Sequence, residues 1–250
     1  MQAYLTLVRR ELGAYFVSLT GYVVSAGALL LMGLSFSLLL KSLNAEPFDQ
    51  PITEVFYNTG FFWLILLLAS PVITMRSYAQ EKNSGTYETL MTTPVGDLQV
   101  VLAKFTGALV FHLLVWLPLL AYPFILRKYS TDSIIVAPGP LASTFLGIFL
   151  LGCLYMSLGC LASSLTRSQI IAAMNAFALG VALFLLGFLS LLEPLRSGWQ
   201  YEVINHVSML EHMRDFARGV IDTRHIVFYV TLTVFFLFLN YKVVESRRWK

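Results

Sequence analysis

Along this chain long uncharged runs alternate with short polar intervals. The runs extend from Leu12 to Leu40, Val55 to Met75, Phe105 to Leu126, Ile134 to Thr166 and Ser168 to Leu192, with a shorter one from Ile226 to Tyr241. A helix needs about 20 apolar residues to cross the hydrocarbon of a bilayer, so the pattern predicts six crossings. Lys242 can snorkel and let the last one continue to Val244. Thr20-Gly21 marks where the first crossing begins, Pro138 and Pro140 delay the fourth to near Leu141, and Pro118 and Pro123 should kink or loosen the third. The predicted spans cover about 20–40, 57–76, 98–126, 141–165, 169–192 and 226–244. The fold class is an all-α membrane protein, one transmembrane domain over residues 1–250.

The polar intervals carry their own periodicities. Before the first span, Leu5, Val8, Leu12 and Tyr15 share one helical face, with Arg9, Arg10 and Glu11 away from it. That suits a helix over residues 1–19 lying in the membrane interface, and equally an ordinary helical start to the first crossing. Between the second and third spans, residues 77–97 are polar and carry both charge signs. Ser84-Gly85 breaks the extension of the second span, and Thr86 can cap a short helix, "YETLMTT". On that helix Tyr87, Leu90 and Met91 fall at i, i+3 and i+4 on one face. Glu88 sits in its first turn, where the helix dipole favours an acid, Pro94 ends it, and Asp97 can cap the third span. Two turns are too short to be stable alone, so the apolar face needs something to dock against. In the interval 193–225, "SMLEHMRDFARGV" places Met209, Met213, Phe216 and Val220 on one stripe.

Composition turns these elements into a membrane protein. Only 12% of residues are charged and 57% are hydrophobic, against about 25% charge in a soluble domain. The net charge of +3 is small and its basic residues scattered, which argues against nucleic acid. Lys and Arg number ten on the side that holds both termini, residues 77–97 and Arg167, against seven on the other. With the basic tail "KVVESRRWK", this places both termini in the cytoplasm of a bacterial inner membrane. Arg9 and Arg10 precede an uncharged run far longer than the core of a cleavable signal. Cys153 and Cys160 lie roughly 10 Å apart along one helix, too far for a disulfide.

Candidate chemistry inside the spans is sparse. Among Asp, Glu, Lys, Arg and His, only His112 lies well within a run, and it reads as a packing residue rather than a relay. No metal-ligand spacing and no G-x-x-x-x-G-K-[ST] phosphate loop occur, so any ATP-driven work needs a separate polypeptide.

The string "AQEKNSGTYETLMTTPV", with "LAK" following, resembles the cytoplasmic loop of ABC-2 type ABC transporter permeases, in which an E-[KR]-x-x-G-T-x-E-x-L-x-x-x-P pattern follows the second span. Glu81, Lys82, Gly85, Thr86, Glu88, Leu90 and Pro94 match it. The closing stretch from His212, with F-x-R-G-[VI]-[IL]-D before the last span and E-x-R-R-W after it, is similar to the small gliding-motility and NosY-like branch. The resemblance implies a type V exporter-like fold with a short cytoplasmic coupling helix and outer re-entrant helices before the last span. It implies a site where that helix docks on an ATPase: Glu81, Gly85, Thr86, Tyr87, Glu88, Leu90, Met91 and Pro94, with Tyr87, Leu90 and Met91 as apolar anchors. Arg167, between the fourth and fifth spans, is either a second contact or a positive-inside anchor. The implied partners are a cytoplasmic ABC ATPase dimer, a second permease (identical or related) and an outer-side accessory protein. ATP and Mg would be held by the ATPase, with no cofactor in this chain. The expected function is a permease subunit for export. The alternatives are a mechanotransmission subunit acting on an outer partner, or an ATP-independent secondary carrier.

Overall fold

In a computed structural model, residues 2–43, 52–58, 60–88, 95–129, 138–188 and 206–246 are described. Among them there are helices and turns and no strand. Six helical stretches are long and apolar enough to cross a membrane: Leu19–Lys41, Phe61–Ser84, Asp97–Leu126, Pro138–Leu165, Gln169–Leu186 and Thr223–Ser246. In chain order the helices are α1 (Gln2–Val17), α2 (Leu19–Leu43), α3 (Ile52–Asn58), α4 (Phe61–Thr74), α5 (Ala79–Ser84), α6 (Asp97–Trp116), α7 (Ala121–Tyr129), α8 (Pro138–Leu165), α9 (Gln169–Leu186), α10 (Met209–Arg218) and α11 (Thr223–Ser246). The third crossing runs through α6 and α7, joined by a 3₁₀ turn over Leu117–Leu120 that contains Pro118. Proline removes a backbone donor and narrows the local geometry, so the expected loosening falls there.

The fourth crossing, α8, is the hub, packing against α4, α6, α9, α10 and α11. Its sequence allows this because small residues let backbones approach where hydrocarbon supplies no hydrophobic drive. A Cβ on Gly147 would meet Met213 and Phe216 of α10, one on Gly152 would meet His112 of α6, and one on Gly159 would lie 2.1 Å from Thr74 Oγ1 of α4. By contrast α2, α9 and α11 keep most of their apolar surface exposed.

Several local expectations shift. α8 begins at Pro138 rather than near Leu141, because proline is tolerated in a first helical turn, where its missing N–H has no intrahelical role. α6 is preceded by Gly96 in extended conformation with no side-chain cap, and Asp97 is its first helical residue, placed in the first turn rather than at the cap. In α1 the inward face is rotated from the one expected. Leu5 is exposed, while Glu11 turns inward among Leu12 and Tyr15, because it finds a lysine there. Tyr15 stacks on Phe111 with ring centroids 4.7 Å apart and donates to the Ile73 carbonyl at 3.1 Å. Tyr4 and Thr106 share a hydrogen bond of 2.8 Å. α1 thus lies along α6.

At the end of the bundle away from α5, α10 lies on α8 with Met209, His212, Met213 and Phe216 fully buried. Gly219 ends it with φ 90°, so Val220, expected on the same stripe, falls outside the helix and is exposed. The short helix α3, which periodicity missed, is clamped to α10. Glu54, 3% exposed, accepts from Arg218 Nε at 3.0 Å and from Nη2 at 2.8 Å, and Thr53 donates to the Ala217 carbonyl.

Candidate functional site

The second crossing does not end at the last apolar turn of α4. Pro71 lies inside α4, the chain passes through a turn at 75–78, and the polar helix α5 follows. Ser163 of α8 holds that elbow. Its hydroxyl accepts from the backbone N–H of Tyr78 and of Ala79, both at 3.1 Å, and donates to the Met75 carbonyl at 3.0 Å. Lys82 adds a bond to the Ser164 carbonyl. These contacts satisfy donors at the start of a helix too short to stand alone, and they mount α5 on the end of the hub helix.

Beyond α5, Gly85 takes φ 75°, a left-handed backbone in which a side chain is strained. The chain therefore turns sharply after Ser84, and Thr86–Glu88 resume helical geometry. Gly85, Thr86 and Glu88 are exposed. Tyr87 is 7% exposed and packs with Tyr78, Val101, Cys160 and Val244, with the Lys82 ammonium 5.2 Å from its ring centre. Tyr87 was expected to share an outward apolar face with Leu90 and Met91; here its ring faces its own bundle, where the cluster removes it from water. Leu90, Met91 and Pro94 lie outside the described residues. Arg167 is exposed in the turn between α8 and α9, three residues past Ser164, so that turn and the segment after Gly85 sit at the same end of the bundle.

Glu81 does not project freely either. Its Oε2 lies 2.9 Å from Lys104 Nζ of α6, and its Oε1 lies 2.9 Å from the Arg10 guanidinium of α1. Glu11 completes the group, 3.0 Å from Lys104 and 2.9 Å from Arg10. Two acids and two bases from three helices therefore form a neutral quartet. Lys104 is 2% exposed and also sits 5.2 Å from the Tyr78 ring centre. Burial alone would raise the Glu11 carboxyl, but Lys104 and Arg10 outweigh it and hold the group below its ordinary range. An ammonium this deep is tolerable only when paired, since stripping one partner from a buried pair costs about 3–5 kcal/mol. In the sequence Lys104 lies inside the predicted third span, one residue before its uncharged run, and Glu11 reads as a charge turned away from the apolar face. The sole signal was that each sits at the edge of an apolar run.

A family model for ABC-2 family transporter proteins matches residues 46–207, most of the chain, including the second to fifth crossings and the segment after α4. The chain belongs to the ABC-2 family. As an ABC-2 transporter protein it is a multi-pass membrane protein, the transmembrane part of an ABC transporter, and its family works with an ABC ATPase subunit. The match ends before α10, so the closing stretch lies outside it. No curated protein matches the sequence. Among the described residues of this ABC-2 protein no group of three or more His, Cys, Asp or Glu could hold a metal ion.

Proposed function

We propose that this protein is the permease subunit of an ATP-driven exporter, and that the segment from Glu81 to Pro94 receives force from a separate cytoplasmic ABC ATPase. The observation that carries the reading is the mounting of α5. A polar segment that is merely a loop has no reason to be fixed to the hub helix by four hydrogen bonds and to two further helices by an ion quartet. A lever needs that rigidity. Beyond Gly85 the exposed Thr86 and Glu88, followed by Leu90 and Met91, would enter a groove on the ATPase, a helix-in-groove mode of recognition. Arg167 would stand beside them. Both termini and this segment face the cytoplasm of a bacterial inner membrane, a second permease completes the pathway, and ATP and Mg bind the ATPase alone.

Co-purification tests this. The wild-type chain should carry the ABC ATPase subunit through affinity purification in mild detergent, and Leu90→Asp combined with Met91→Asp should abolish it while membrane abundance holds. Undiminished binding by that variant would refute the site. Movement of cargo in proteoliposomes without an outer-side protein would separate export from work on an outer partner.

A further inference from the structure

The first crossing, α2, is loosely held by the bundle, yet its cytoplasmic end is tied tightly to α1 and to the elbow. At the corner between α1 and α2, Ser18 Oγ donates to the Tyr15 carbonyl at 3.1 Å and accepts from the Gly21 N–H at 3.2 Å. A Cβ at Gly21 would lie 2.1 Å from the Tyr15 carbonyl oxygen, so the corner is closed to within a side chain's width. Arg76, at the start of the elbow, bonds Thr20 with one arm and Gln80 with the other. From the corner α1 runs back along α6, with Glu11 Cβ pressed against Gly107, and reaches the quartet. There Arg10 and Glu11 meet Glu81 of the elbow and Lys104 of α6.

We infer that α1 is a crank: the Arg10–Glu11–Glu81–Lys104 quartet transmits displacement of the α5 elbow through α1 and the Ser18–Gly21 corner to the first span. This rests on the proposed coupling site and adds the path by which its motion reaches a span that α5 barely touches. The electrostatics suit a strut. The quartet is neutral, so it needs no counter-ion, and Lys104 bridges both acids from a position closed to water, where screening is weak. Glu11 and Lys104 act here as positioning residues; neither is exposed to the ATPase.

The test uses the full permease with its ABC ATPase subunit in lipid nanodiscs, reading permease-dependent ATP hydrolysis, KM for ATP, and retention of the ATPase. Glu11→Gln should lower kcat about tenfold, within the ordinary span of coupling free energies, with KM and retention unchanged. A Cβ on Gly107 would lie 2.9 Å from the Glu11 Cβ, short of the roughly 3.5–4.5 Å of a disulfide, so a small outward shift of α1 lets Glu11→Cys with Gly107→Cys form one. Reduced, that protein should be as slow as Glu11→Gln; oxidised, it should recover to within about twofold of wild type, because the covalent bond restores the α1–α6 tie. Oxidised wild type, with its native Cys153 and Cys160, is the control. Wild-type kcat in Glu11→Gln, or a disulfide that forms without restoring kcat, would overturn the crank. Failure of the wild-type chain to retain the ATPase would instead overturn the coupling site on which it rests.

Discussion

Single residues set how closely the helices approach. Gly159 is the sharpest case, because its missing Cβ leaves room for Thr74, a fully buried threonine whose hydroxyl is already spent on the Ser70 carbonyl at 2.8 Å. Adding one carbon forces α4 and α8 apart or twists Thr74 off its rotamer, a cost of about 1–3 kcal/mol by analogy with overpacked cores. Gly159→Ala should therefore lower the thermal midpoint in detergent, whereas Gly33→Ala, where no atom lies within 4 Å of the new carbon, should leave it unchanged or raise it. Equal midpoints for the two variants would mean that the contact at Gly159 is loose. The small-residue character of the fourth span was readable in the chain, but which glycine meets which neighbour was not, since that depends on two helices meeting at one level. Tyr87 teaches the same lesson from the other direction: its helical register with Leu90 and Met91 is plain in the sequence, but only the neighbouring Tyr78, Val101 and Val244 show where its ring goes.

At the scale of elements, two helices outside the crossings are each held by a titratable group, one charged and one neutral, and both lose that hold as pH falls. In α1 the Glu11 carboxyl sits below its ordinary 4.5 in the folded state. Its contribution is complete above that value and is lost as pH falls through the depressed one. Hydrogen exchange corrected for intrinsic rates should show α1 losing protection below about pH 4.5 before α6 does, and Glu11→Gln should abolish that difference. In α10, burial first, and then the neighbouring His225 and His206, push the His212 imidazole down to about 3 from 6.5, with Asp222 opposing weakly. Here the unfolded state takes up the proton first, so docking of α10 is fully stable above about pH 6.5 and weakens as pH falls toward 3. One unit below 6.5 is about 1.4 kcal/mol, so exchange in α10, corrected for intrinsic rates, should rise about tenfold between pH 7.5 and 5.5. A flat profile would show that His212 is already charged or hydrated. Existence and type of both helices follow from periodicity, as do the long apolar ones. The short α3 escaped because seven residues give too little pattern, and the inward face of α1 was misjudged because Glu11 is drawn inward by a partner ninety-three residues away.

For the whole molecule, six crossings put the N-terminal helix α1 and the segment after α5 at one end and α3 with α10 at the other. In intact cells or sealed right-side-out vesicles, a cysteine at the exposed Glu88 should resist a membrane-impermeant maleimide until the membrane is opened, while one at the exposed Val220 should react at once. Labelling of the Glu88 position from outside would reverse the topology and remove the coupling site from the ATPase. Lys and Arg counts support this orientation through ten against seven residues, a modest bias that the basic closing segment reinforces.

What the sequence determined unaided is what depends on local pattern: six apolar stretches long enough to span, the breaks at Gly85 and Pro118, and a short motif that resembles the loop of ABC-2 proteins. Each is a property of residues within one or two turns of one another, and hydrophobic length is a direct response to bilayer thickness. The tertiary structure alone decided the hub role of α8, the rotation of α1, the inward turn of Tyr87 and the union of Arg10, Glu11, Glu81 and Lys104. These rest on steric fit and charge pairing between helices far apart in the chain, and no periodicity within one helix encodes which partner its buried charge will meet.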